Sequence, residues 1–167
     1  LKLGVSMDIS EQDLLQGFNL SPSVVDSVNS RVSTQIVGKI TQRLIKLSER
    51  NDVGMAYGML TRPTTHGFLG YAVMSSETFG DAMRVIHKYL ALTLSELTVN
   101  MVTVNDDVIL TLTENYNLAK LRQTYLEAFL VASCSTIKFL IGKEILDFKV
   151  NVDWSRPDYF DQYEDQL

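Results

Sequence analysis

The chain has 167 residues, 46% of them hydrophobic and 21% charged, which is enough to bury one core and too little for two ordinary domains. Its net charge of -5 and pI near 5.0 argue against nucleic-acid binding by this segment, because neutralising phosphates takes clustered Lys and Arg. The acidic residues gather late, at Asp153, Asp158, Asp161, Glu164 and Asp165, against a single Arg156, an end that would repel DNA.

In chain order, Ser10-Glu11-Gln12-Asp13 supplies a capping hydroxyl and early carboxylates, and Leu14, Leu15 and Phe18 give the short helix behind it one apolar face. Gly17 and Ser21-Pro22 limit that helix. Ser33 caps the next, in which Ile36, Val37, Ile40, Leu44 and Leu47 recur at helical spacing while Lys39, Gln42, Arg43, Lys46 and Glu49 take the wet side. Val53 to Leu60 is apolar apart from the tip of Tyr57, and its glycines at 54 and 58 weaken a helix, so the expectation is a buried strand with close backbone neighbours.

Arg62-Pro63-Thr64-Thr65 stops that run. His66 to Met74 is apolar on all sides and reads as a buried helix, with Gly67 and Gly70 opening a flat patch for another element. Thr78 to Asp81 fits a capping pattern, and Phe79, Ala82, Met83, Ile86, Tyr89 and Leu90 line one side of the helix that follows. Leu97–Val104 and Val108–Thr113 are β-rich runs separated by Asn105-Asp106-Asp107, which predicts a hairpin.

From about Leu118 to Ile141 runs the longest predicted helix. One face carries Leu118, Leu121, Tyr125, Ala128, Phe129, Ala132, Thr136 and Phe139, and a second stripe carries Leu126, Leu130, Ile137 and Ile141. Only a narrow polar strip of Lys120, Glu127, Cys134 and Lys138 remains, so the helix must be covered on more than one side. Gly142 ends it. Leu146, Phe148, Val150, Val152 and Trp154 then alternate with polar residues as in a half-buried strand, and Pro157 can begin a last helix with Tyr159, Phe160 and Tyr163. The expected fold is α+β, a mainly antiparallel sheet built from 53–60, the hairpin at 97–113 and 145–154, with several helices packed on it. The number of long helices favours an open sheet over a barrel.

Residues 58–90 are the most informative stretch. A Gly-ending segment Val53 to Gly58, then Gly67-Phe68-Leu69-Gly70-Tyr71-Ala72-Val73-Met74-Ser75-Ser76, then Thr78-Phe79-Gly80-Asp81-Ala82-Met83 resembles, in order and spacing, the N-terminal effector domain of AraC-type bacterial transcription regulators, of the arabinose-binding variant. The likeness reaches back through Gly17-Phe18-Asn19-Leu20-Ser21-Pro22 and Asn29-Ser30-Arg31-Val32-Ser33, and forward to Val150-Asn151-Val152-Asp153-Trp154-Ser155-Arg156-Pro157. It implies one N-terminal ligand-sensing and dimerisation domain over 1–167, a small-molecule effector, a homodimer, and contact with DNA only through a helix-turn-helix domain that this sequence does not contain. The effector would act by population shift.

Neither phosphate-binding glycine pattern occurs, and His66 and His87 lie 21 apart with one cysteine in the chain, so no cofactor and no metal is expected. A lone Cys134 cannot form an internal disulfide, no basic N-terminal stretch precedes an apolar core, and no uninterrupted apolar run approaches the ~18 residues that cross a bilayer. A cytoplasmic protein without a membrane partner is expected, and Leu1 in place of an initiator Met suggests a piece of something longer.

Candidate ligand-lining groups are Tyr57, His66, Tyr71, Arg84 and His87, polar tips among apolar walls. Each has a plainer fate: His66 capping a helix end, Tyr71 bonded to a carbonyl, Arg84 and His87 facing water, Tyr57 packed by strand parity. The stripe Leu126, Leu130, Ile137 and Ile141 is a candidate dimer seam or part of the chain's own core. No catalytic residue is expected. Two rival functions are an oligomerisation module without ligand and a small enzyme using Cys134 or His66, the former thiol activated by Lys138 four residues on or else a packed, unreactive small hydrophobe.

Overall fold

The computed structural model describes residues 1–27, 30–92, 94–105, 107–142 and 149–164. Helices Lys2–Val5 (α1), Glu11–Leu15 (α2), Pro22–Val25 (α3), Thr34–Ser48 (α4), Val53–Leu60 (α5), Phe68–Met74 (α6) and Phe79–Tyr89 (α7) precede strands Leu97–Val104 (β1) and Asp107–Glu114 (β2), and Arg122–Ile141 (α8) and Asp161–Glu164 (α9) follow them. The architecture is the expected α+β. Among the described residues the sheet has two strands.

Helix starts follow the hydroxyls that were predicted to cap them. Ser10 Oγ accepts from the Asp13 N–H at 3.1 Å, Ser33 Oγ from Ile36 N–H at 3.4 Å and Thr78 Oγ1 from Asp81 N–H at 3.1 Å, each satisfying a donor that the first turn leaves open. The hairpin also forms as expected, with Leu97 opposite Glu114 and Val104 opposite Asp107. Asn105 turns the corner at φ 55, a left-handed conformation its short amide side chain tolerates.

The predicted strand at Val53–Leu60 is instead helix α5. Gly54 and Gly58 are four apart and share one face, and that face meets α8, with which α5 makes its main contact. A Cβ on Gly54 would stand 2.3 Å from the Thr124 carbonyl oxygen, and one on Gly58 2.6 Å from Val131 Cβ. The glycines do mark close backbone neighbours, but the neighbour is a helix.

The predicted buried helix at His66–Met74 is shorter and only half covered. Pro63–His66 is a 3₁₀ turn, Gly67 turns at φ 55 and α6 begins at Phe68. Gly70 lets α6 lie on that turn, since a Cβ there would meet the Pro63 carbonyl oxygen at 1.8 Å. Outward, Phe68 is 94% and Tyr71 57% exposed.

The long helix is present: a 3₁₀ turn at Ala119–Leu121 runs into α8, and Gly142 closes it at φ 69. Ala119–Ile141, 23 residues with an 18-residue window of mean hydropathy 1.4, also has the length and composition of a bilayer-crossing helix; here α5 packs along it. The predicted strand at 145–154 is not formed over its described part, 149–154, and 145–148 lie outside the described residues. An alternating pattern needs a neighbouring strand to complete its ladder, and Asp153 is held elsewhere. Arg122 at the start of α8 bonds Asp153 Oδ1 at 2.7 Å and pairs with Glu114 at the end of β2, with its guanidinium 5.8 Å from the Trp154 ring.

Among the described residues, two clusters form the core. Leu3, Ile9, Leu14, Leu44 and Val53 join α1, α2, α4 and the start of α5. Met55, Val131 and Tyr163 join α5, α8 and α9, with Tyr159 and Phe160 against them. The second cluster brings the end of the described chain to the junction of α4 and α5.

Candidate functional site

That junction carries the strongest polar arrangement among the described residues. Glu49 ends α4 at φ 54, and Arg50-Asn51-Asp52 lead into α5. Asp52 stands at the helix start, yet its side chain makes no capping bond. It accepts Arg50 Nε–H at 2.8 Å on Oδ1, and on Oδ2 the Tyr163 hydroxyl at 2.6 Å, across 111 residues of sequence. The Arg50 guanidinium also reaches Oδ2. Asp52 is 5% exposed, a burial that only such pairing makes tolerable for a charge. The Arg50 bonds hold its carboxyl below the usual carboxylate range, more than offsetting desolvation, with the Tyr163 bond adding to them.

A second buried carboxyl, Glu127 of α8, is 4% exposed. Its Oε1 accepts from Gln123 Nε2 and from the Tyr159 hydroxyl, both at 2.8 Å. Its Oε2 is buried with no hydrogen-bond partner among the described residues. Burial pushes the Glu127 pKa up; the bonds from Gln123 and Tyr159 pull it down, and the nearby charge of Asp52 adds to the rise. Burial first, and then its bond to Asp52, pushes the Tyr163 phenol up to about 12. Tyr159 is raised by burial and by its bond to Glu127.

Above this network lies a recess of about 420 Å³ walled by Arg50, Asn51, Asp52, Asp158, Tyr159 and Gln162. Its wall carries two carboxylates and one guanidinium. A smaller recess, about 130 Å³, lies between α4 and the approach to α8, where Gln35, Gly38, Tyr116, Asn117 and Tyr125 meet. Burial raises the Tyr125 phenol pKa, with Glu96 the next cause.

The five residues singled out in the sequence lie outside these two walls. Tyr57 is on α5 and 52% exposed. His66 ends the 3₁₀ turn and is exposed, and partial desolvation lowers its pKa. Tyr71 is on α6, and Arg84 and His87 are on α7, where Arg84 pairs with Asp81. Because α6 packs on both the 63–66 turn and α7, four of the five share one helical subassembly while Tyr57 stands apart. Of the candidate dimer stripe, Leu126 and Ile137 are only 6% and 8% exposed within the chain, whereas Leu130 and Ile141 are half-buried.

Burial pushes the Cys134 thiol up to about 11, which favours the packed, unreactive thiol over the alternative of a thiolate assisted by Lys138. The residues that sequence reasoning missed are Arg50, Asp52 and the pairing of Glu127 with Tyr159. A single carboxylate between the apolar stripes of the long helix was the available signal.

The chain matches, over residues 9–166, the family described as the arabinose-binding domain of AraC transcription regulators, N-terminal, and it belongs to that family. It is also 26% identical over 163 residues to a protein of Pseudomonas aeruginosa named as an ornithine utilization regulator, a match covering 98% of this chain and 48% of the relative. The chain thus spans about half the length of that relative.

Proposed function

We propose that this member of the arabinose-binding domain family is the sensing part of a cytoplasmic AraC-type transcription regulator, binding a small-molecule effector and contributing to a homodimer. The family match over residues 9–166 carries the reading. DNA would be contacted by a separate domain, in keeping with the acidic charge of this segment, -5. The relative's name concerns ornithine utilization, which makes ornithine the first effector to test here.

An effector changes an equilibrium only by binding one arrangement better than another. The larger recess lies between the α4–α5 junction, through Arg50, Asn51 and Asp52, and the last described segment, through Asp158, Tyr159 and Gln162. A ligand touching both sides clamps that segment onto the helices and fixes how it leaves the domain. The half-buried Leu130 and Ile141 are the part of the candidate stripe on α8 left to contact a second copy.

Thermal shift of the full chain against a panel of amino acids, sugars and carboxylic acids tests this reading. A ligand specific to the folded state at 100 times its Kd adds about 2.7 kcal/mol and raises the midpoint with concentration. If no member of the panel moves the midpoint while sedimentation shows a tight dimer, the domain is an oligomerisation module instead.

A further inference from the structure

We infer that residues 155–164 form a proton-linked strap, docked as one unit across α5 and α8 and released from them as Glu127 of α8 loses its proton. The inference goes beyond the effector reading and does not depend on it. Three observations, on the tail and on the surface beneath it, converge.

First, the tail is braced within itself. Arg156 donates to Asp161 Oδ1 at 2.6 Å and to Glu164 Oε2 at 2.9 Å, and its guanidinium lies 4.5 Å from the Phe160 ring. The N–H groups of Phe160, Gln162 and Tyr163 bond to the carbonyls of Pro157, Tyr159 and Phe160. None of these bonds breaks when the segment moves as a whole. Upstream, Arg122 pins Asp153, and residues 155–157 carry no regular structure. The hinge lies between that pin and the brace.

Second, the surface under the strap holds acid where a permanent core would be apolar. Tyr159, Phe160 and Tyr163 pack with Met55, Met59 and Val131. Each phenol, however, ends on a buried carboxyl: Tyr163 on Asp52 at 2.6 Å and Tyr159 on Glu127 at 2.8 Å. Apolar contact holds the strap down, while both carboxyls regain water when it lifts. Such a seat binds more weakly than an all-apolar one of the same shape.

Third, the two carboxyls are not alike. Asp52 has the Arg50 guanidinium against it. The groups that act on Glu127 include no cation: they are neutral Gln123 on α8, the Tyr159 phenol on the strap and the like charge of Asp52 at the start of α5. Glu127 is 4% exposed, and its Oε2 has no hydrogen-bond partner among the described residues. A neutral carboxyl suits that setting and a charged one does not; burial accordingly raises its pKa from 4.5. Docking is therefore strongest below that value and weakens as the pH rises through the docked-state pKa, because the solvated carboxyl of the lifted state gives up its proton more readily.

Hydrogen exchange of the full chain from pH 4 to pH 8, read by mass spectrometry and corrected for the intrinsic rate, tests the strap. Protection of residues 159–164 should fall severalfold across that range while α8 keeps its own, since a turn this short does not persist off its seat. Glu127→Gln, neutral at every pH, should hold protection within twofold throughout. Tyr163→Phe, which loses the bond to Asp52, should lower protection severalfold at every pH and keep the slope. Exchange at 159–164 that is flat with pH in the wild-type chain, that keeps its slope in Glu127→Gln, or that occurs only together with α8, overturns the inference. So does Tyr163→Phe with wild-type protection, a result that decides the matter even where Glu127→Gln fails to fold. The effector reading stands or falls separately, on the thermal-shift panel.

Discussion

The α5–α8 seam and the 63–74 region are built from the same materials, glycines set among apolar side chains, yet one is closed on both sides and the other on one. At the seam, Gly54 and Gly58 admit Thr124 and Val131, and beyond them Met55, Val131 and Tyr163 bury each other. In the other region Gly70 admits the Pro63 carbonyl just as tightly, but Phe68 on the outer side is 94% exposed. The difference shows that a glycine in an apolar run marks where two backbones touch. Whether the opposite face is covered depends on chain that arrives from elsewhere, here the last helix.

The largest expected effect lies in the seam. Gly58→Val drives a branched side chain into Val131 and the Ala128 carbonyl, and chemical denaturation should show a loss of about 3 kcal/mol or more. Gly70→Ala creates an even closer clash in the half-covered region, where the 63–66 turn can swing away. Its expected signature is faster hydrogen exchange confined to residues 63–74, with a smaller change in the global midpoint. Equal global losses from the two would erase the contrast.

Next is the network beneath the larger recess. Asp52→Ala strips the Tyr163 hydroxyl of its acceptor and Arg50 of its counter-ion, and a denaturant titration should read a loss of about 1–3 kcal/mol. Glu127 gives the pH dependence. Burial raises its folded-state pKa above the ordinary value of 4.5, so its contribution to stability is fully present below that pH and is lost as pH rises through the folded pKa. Glu127→Gln should flatten that decline in denaturation midpoints measured from pH 4 to pH 8. A decline of unchanged slope would assign it to another group. The smallest effect is on the open side, where Phe68→Ser should change the midpoint by no more than about 0.5 kcal/mol.

Local chemistry was legible in the sequence. Ser10, Ser33 and Thr78 cap the helices they were expected to cap, and Asn105 turns the predicted hairpin, because each signal acts within about four residues. The segment 53–60 was misread because a short apolar run carries no period that separates strand from helix, and only α8 decides the matter. The strand expected at 145–154 is not formed over its described part, 149–154, for the same kind of reason: alternation describes one ribbon and is silent about a partner. For the larger recess, Asp52 and Tyr163 are 111 positions apart, and no spacing rule joins them. Glu127 was visible as polar among apolar neighbours, but not what it would meet.

Arg122 has a consequence for how force travels through the domain. One side chain grips the end of the hairpin through Glu114 and the returning tail through Asp153, and both grips are ionic and 40% open to water on the arginine side. Pulling the tail outward therefore tugs on the same crosspiece that steadies the hairpin. Raising the ionic strength should slacken hairpin and tail in concert.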